Sequence, residues 1–243
     1  MMKAAPFATQ PFAASYEQAP EFKLLKCTGS TAYRLIVDGE PIAQAEDLQP
    51  LLDLLARDLM VHVANHAPDR VFMHAGVVAW RGRALVLPGT SFAGKTTLVA
   101  ELVRAGATYY SDEYAVLDGL GLVHPYPRDL QMRLPGSPRQ TPLAVAHLNA
   151  SAPGIAALPV SHVVFTEYIA NAQWSPEPIT AGIAVLEMLR HTIPVQRTPA
   201  RVMATLAKMM QTATAVRSPR GEASTTARIL LTAMDATPET PLA

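Results

Sequence analysis

The segment Gly89-Thr90-Ser91-Phe92-Ala93-Gly94-Lys95-Thr96-Thr97 matches in full the pattern of Gly, four residues, then Gly-Lys-Ser/Thr. Glycines let a backbone turn tightly enough for successive N–H groups to point inward, and the positive end of a following helix sits behind them. Such a loop cradles anions. Lys95 then reaches the β- and γ-phosphate oxygens of a nucleoside triphosphate, and the Thr96 hydroxyl is the natural protein ligand for Mg²⁺. A carboxylate pair, Asp112-Glu113, follows Lys95 by seventeen and eighteen positions. One of the two can bind Mg²⁺ directly or through water while the other accepts a proton from an attacking hydroxyl. Phosphoryl transfer needs mainly positioning and charge neutralisation, so this set outlines a sufficient site. His74, fifteen positions before Gly89, is a third candidate, able to orient a carboxylate or stabilise its change of protonation.

These residues require particular elements to hold them. Residues 84–87 form an apolar strand leading into the loop, and the periodic stretch 95–105 forms a helix stopped at Gly106. Runs 72–80 and 83–88, hinged at Arg81-Gly82, read as two antiparallel strands that return His74 to the level of the loop, within reach of Asp112. Short strands are expected at 109–111 and 114–117, either side of the acid pair. Both carboxylates approach the phosphates if the strand ending at Ser111 lies beside the one feeding the loop.

Upstream, runs 22–27 and 33–37 read as a hairpin ending at Asp38-Gly39, and the apolar spacing over 47–67 reads as an amphipathic helix. The expected organisation is an N-terminal arm over 1–20, a small strand pair and helix over 21–70 packed on the main domain, and a nucleotide-binding catalytic domain over 71–243. The second half is rich in proline, so loops are expected to dominate it. A strand is expected at 160–166 and helices at 182–191, 199–212 and 222–233.

Composition narrows the function classes. Of 243 residues 49% are hydrophobic and 16% charged, the balance of a folded chain. Twenty Lys and Arg offset twenty Asp and Glu, and aromatic residues are only 6%, which argues against a nucleic-acid surface. The longest run without charged side chains, 140–166, is broken by Pro142, Asn149, Pro153, Gly154 and Pro159, so no membrane span is expected. The single cysteine, Cys27, fits a reducing, cytoplasmic setting. The other histidines show no spacing suited to zinc, and a homo-oligomer is compatible with the sequence.

The ordered set of His74-Ala75, the phosphate loop, Arg104-Ala105-Gly106 and Asp112-Glu113 resembles the catalytic domain of HPr kinase/phosphorylase, and more closely the HPr-kinase-related serine kinases. The resemblance covers residues 70–135 and implies an α/β fold of the phosphoenolpyruvate carboxykinase-like type, a mixed and largely antiparallel sheet around the phosphate loop. It implies ATP and Mg²⁺ as cofactors, with a serine-type hydroxyl on a peptide, protein or small molecule as acceptor. By the same resemblance Asp112 is the general base with His74 its partner, Lys95 and the loop amides hold the phosphates, and Thr96 with Glu113 serves the metal. The family more often carries two aspartates where this chain has Asp112-Glu113. The segment 124–133 lacks the Arg-Gly-rich signature of HPr kinase proper, so phosphorylation of HPr itself is not expected. Arg128 and Arg133 are candidates for clamping transferred phosphate or an acidic substrate. Two other readings of the loop stay open: a nucleotide-switched binding module and a plain NTP hydrolase.

Overall fold

The computed structural model describes residues 20–90, 93–133, 140–148 and 152–236. The chain divides into two units between His66 and Ala67. In the first, strands β1 (Phe22–Lys26), β2 (Tyr33–Val37) and β3 (Glu40–Ala45) form an antiparallel meander, followed by helix α1 (Gln49–His66). The turn between β2 and β3 places Asp38 and Gly39 at φ 50° and 86°, the left-handed pair that tight hairpins favour. β3 goes beyond the expected strand pair. Its polar sequence hides it, and Pro41, which lacks an N–H, is accommodated because β3 lies at the sheet edge.

The second unit is built on one mixed sheet. Its chain order is β4 (Val71–Trp80), β5 (Arg83–Pro88), α2 (Lys95–Arg104), β6 (Thr108–Ser111), β7 (Tyr114–Leu117), β8 (Val123–His124), β9 (Leu130–Arg133) and β10 (Gln140–Leu143). There follow β11 (Val160–Tyr168), β12 (Glu177–Ile179), α3 (Ala181–Leu189), α4 (Pro199–Met209), β13 (Thr214–Arg220) and α5 (Ala223–Ala236). The strand order is β12-β13-β11-β5-β4-β7-β8, with β6 also paired to β4, while β9 and β10 form a separate ribbon. β11 runs parallel to both β5 and β13, and the other pairings of the large sheet are antiparallel. The chain is therefore α/β with a mixed sheet.

Alternation along the strands makes two cores. Odd-numbered residues of β4 from Val71 to Ala79, with Ala84, Val86, Val163 and Phe165, pack beneath α3 and α4. Val78, Leu85, Leu87 and Val164 pack beneath α2 and α5. Strands buried on both faces read as continuous apolar runs, which β4 and β5 do. His74 and Gly76 share the face of Val78, the side on which α2 lies. A Cβ on Gly76 would fall 2.6 Å from Val99 Cγ2, so the glycine lets α2 settle close to β4. The β4–β5 hairpin turns at Arg81 and Gly82, with φ 47° and 74°.

One condition is not met and one expectation is corrected. Ser111 ends a strand paired to β4, not to the loop-feeding β5, whose neighbours are β4 and β11. The proline-rich second half also supplies strands deep in the sheet: β13, with the sequence Thr-Ala-Val-Arg-Ser-Pro-Arg, is too polar and proline-marked to read as one, yet it pairs β11 along its whole length. Among the described residues no helix is long and apolar enough to cross a membrane.

Candidate functional site

β5 delivers the chain at Pro88, Gly89 is buried, and α2 begins at Lys95. Gly94, the residue before the helix, has φ 79°, a left-handed conformation that favours glycine. A Cβ there would also lie 2.5 Å from Arg220 Nη2. Among the described residues no side chain caps the helix and its first turn carries no acid, so its leading N–H groups and positive dipole end are open to an anion. Lys95 is 8% exposed and folds back over the loop, its Nζ donating to Gly89 O at 2.8 Å and Thr90 O at 2.6 Å. Burial lowers its pKa to about 8 despite the upward pull of Asp112 and Glu113. Thr90 and Thr97 are exposed, whereas Ala93, Gly94 and Thr96 are half-buried. Ser91 and Phe92 lie outside the described residues.

The acid pair sits on a turn fixed by Ser111, whose Oγ accepts from the N–H groups of Glu113 at 3.1 Å and Tyr114 at 3.0 Å. Asp112 accepts a hydrogen bond from the Thr96 hydroxyl, joining the turn to the first residues of α2. Burial raises its carboxyl to about 7, against the pull of that bond. Its Oδ1 is buried with no hydrogen-bond partner among the described residues. An orphaned buried carboxylate oxygen beside a threonine hydroxyl fits a magnesium ion, which is usually held by one or two carboxylates plus substrate phosphates. Among the described residues no three His, Cys, Asp or Glu side chains gather as a metal cage. Thr96 and Asp112 are thus the pair suited to a phosphate-bound cation.

Glu113 faces elsewhere. Its Oε1 stands 3.5 Å from His74 Nε2, so the carboxylate beside the histidine is Glu113, not the expected Asp112. Burial raises the Glu113 pKa, with Arg128 and Lys95 pulling it down. His74 Nδ1 lies 2.9 Å from Gly89 O, and the His74 N–H donates to His191 O at 2.7 Å. A carbonyl oxygen only accepts, so Nδ1 carries the ring proton and a neutral His74 turns the Nε2 lone pair toward Glu113. Burial, with Lys95 and His191 nearby, lowers the His74 pKa to about 4. The ring also meets Tyr114 edge-on, at 6.0 Å between centroids.

Arg128 is exposed, yet its charge acts on Glu113, Tyr114 and Tyr126. It therefore belongs to the surroundings of the acid pair. The Arg133 side chain lies outside the described residues; its backbone pairs with Gln140 in the β9–β10 ribbon. Two open cavities flank the loop and share Gly89, Thr90 and His191. One, of about 490 Å³, is bounded by His74, Arg190 and Thr192. The other, of about 620 Å³, opens toward Phe165 and Thr166 of β11 and Arg217 of β13.

Two contributors carry no sequence signal. His191 looks like one more unpaired histidine, and Arg220 lies 126 positions from the glycine it contacts. Only the return of β13 into the sheet brings Arg220 to the loop. Comparison of the chain with protein-family models gives no match, and comparison with curated proteins gives none either.

Proposed function

We propose that the chain is an ATP- and Mg²⁺-dependent kinase of the HPr kinase-like type that transfers the γ-phosphoryl group to a serine-type hydroxyl of a peptide, protein or small molecule in the cytoplasm. One observation carries this reading: the Lys95–Thr96 start of an uncapped helix, the Asp112–Glu113 turn and His74 meet around one loop although they come from three parts of the sheet. The resemblance of residues 70–135 to that family supports it.

In this reading Lys95 leaves its carbonyl partners for the phosphate oxygens, and the N–H groups opening α2 hold the rest of the triphosphate. Thr96 and Asp112 would hold magnesium, which supplies neutralising charge to the phosphates when bound. As the acceptor oxygen bonds to the γ-phosphorus and the bond to the departing ADP breaks, the hydroxyl proton passes to Glu113 and is shared with His74 Nε2. The geometry thus favours exchanging the roles that the resemblance gives to the two acids, with Asp112 on the metal side and Glu113 on the acceptor side. Arg128 stands where it would steady an anionic group near the acceptor.

The test is γ-phosphate transfer across a screen of peptides and metabolites by the wild type, Lys95→Ala, Asp112→Asn and Glu113→Gln. Acceptor-dependent transfer abolished by each substitution is the expected result. Phosphate release that ignores every acceptor would identify a hydrolase, and tight nucleotide binding without turnover would identify a switched binding module.

A further inference from the structure

Arg220 ends β13 and is 2% exposed, the largest fully buried side chain among the described residues. Its Nη2 donates to Gly94 O at 2.7 Å and its Nη1 to Gly221 O at 3.0 Å. Nε is buried with no partner among the described residues, and the guanidinium carbon lies 5.6 Å from the Tyr168 ring centre. The carboxylate that acts on it, Glu222, does so through space from an exposed position. A guanidinium stays charged in proteins, and a buried charge whose hydrogen bonds, among the described residues, go to carbonyls alone is costly. This one sits directly behind the residue that precedes Lys95.

We propose that Arg220 is a positioning residue of the phosphate loop, holding the Gly94 carbonyl and with it the first turn of α2, and that the anion taken up by the loop balances its buried charge. This rests on the phosphate-binding reading of the loop. The Gly94 carbonyl and the Lys95 N–H share one planar trans peptide and point in opposite senses, so a guanidinium holding the carbonyl keeps that N–H facing away from itself. The same carbonyl accepts the first helical bond, from Leu98 N at 3.2 Å, so Arg220 and α2 fix one atom together. The left-handed glycine completes the arrangement, because any Cβ would strike the guanidinium.

Calorimetry with inorganic tripolyphosphate and with Mg²⁺–ATP, together with thermal unfolding with and without each ligand, is applied to the full chain as wild type, Arg220→Lys and Arg220→Gln. Losing a charge-assisted hydrogen bond at the loop corresponds to a weakening of about tenfold or more. Both variants are expected to show it, with a smaller ligand-induced rise in Tm, and Lys, which keeps the charge, is expected to recover part. Arg220→Gln is expected to hold its ligand-free Tm near the wild-type value, because the uncompensated charge leaves with the lost hydrogen bonds. Undiminished affinity in folded variants, or variants that neither fold alone nor are restored by ligand, would overturn the proposal while leaving the loop reading intact. A wild type that binds neither ligand would overturn both.

Discussion

His74 links the first glycine of the β5–α2 loop to the second carboxylate of the acid pair: its Nδ1 stands 2.9 Å from Gly89 O and its Nε2 3.5 Å from Glu113 Oε1. The carbonyl fixes which nitrogen carries the proton, and the acid side faces a lone pair. Long-range ¹H–¹⁵N correlation spectra are therefore expected to show a neutral His74 protonated on Nδ1 at pH 7, gaining its second proton only near pH 4. His74→Gln is expected to lower the transfer rate by about a hundredfold or more, the usual span for a proton-handling group. Nucleotide affinity should fall much less.

Asp112 and His74 pull stability in opposite directions as pH changes. The Asp112 pKa rises on folding from 3.8 to about 7, so between those values the folded state holds the extra proton and stability falls as pH rises. The His74 pKa drops from 6.5 to about 4, so over that window the unfolded state holds the extra proton and stability rises with pH. Each slope is about 1.4 kcal/mol per pH unit, and they nearly cancel between pH 4 and 6.5. Urea unfolding as a function of pH should thus show Asp112→Asn gaining stability from pH 4 to 6.5 relative to wild type, and His74→Gln losing it. Parallel curves for all three proteins would contradict this.

Metal dependence would separate the two roles proposed for the loop. Lys95→Ala is expected to weaken nucleotide binding about a hundredfold with or without Mg²⁺, since it removes charge-assisted hydrogen bonds to phosphate. Thr96→Val removes only the hydroxyl bonded to Asp112. Calorimetric titrations with ATP should show Thr96→Val matching wild type in the presence of a chelator and falling behind it when Mg²⁺ is added.

The close approach of α2 to β4 has a stability signature. Gly76→Ala places a methyl 2.6 Å from Val99 Cγ2 in a fully buried contact, and overpacking of this kind costs about 1–3 kcal/mol. Denaturant midpoints should show the double variant Gly76→Ala/Val99→Ala more stable than the sum of its two single changes, because the second substitution vacates the space the first demands.

The amino-acid sequence determines the local parts on its own. The β4–β5 hairpin, the loop's glycines, the length of α2 and the Ser111 turn follow from periodicity and turn chemistry within a few residues, and they appear where those signals put them. Pairings across long stretches of chain were decided only by packing the sheet. β13 reads as loop because Pro219 and its two arginines obscure strand propensity, and β6 pairs with β4 because both sides of β5 are taken, by β4 and by β11. The tertiary structure likewise separated the adjacent acids, sending Asp112 to Thr96 and Glu113 to His74. Neighbours in sequence project to different sides of a turn, and no spacing rule says which side will find which partner.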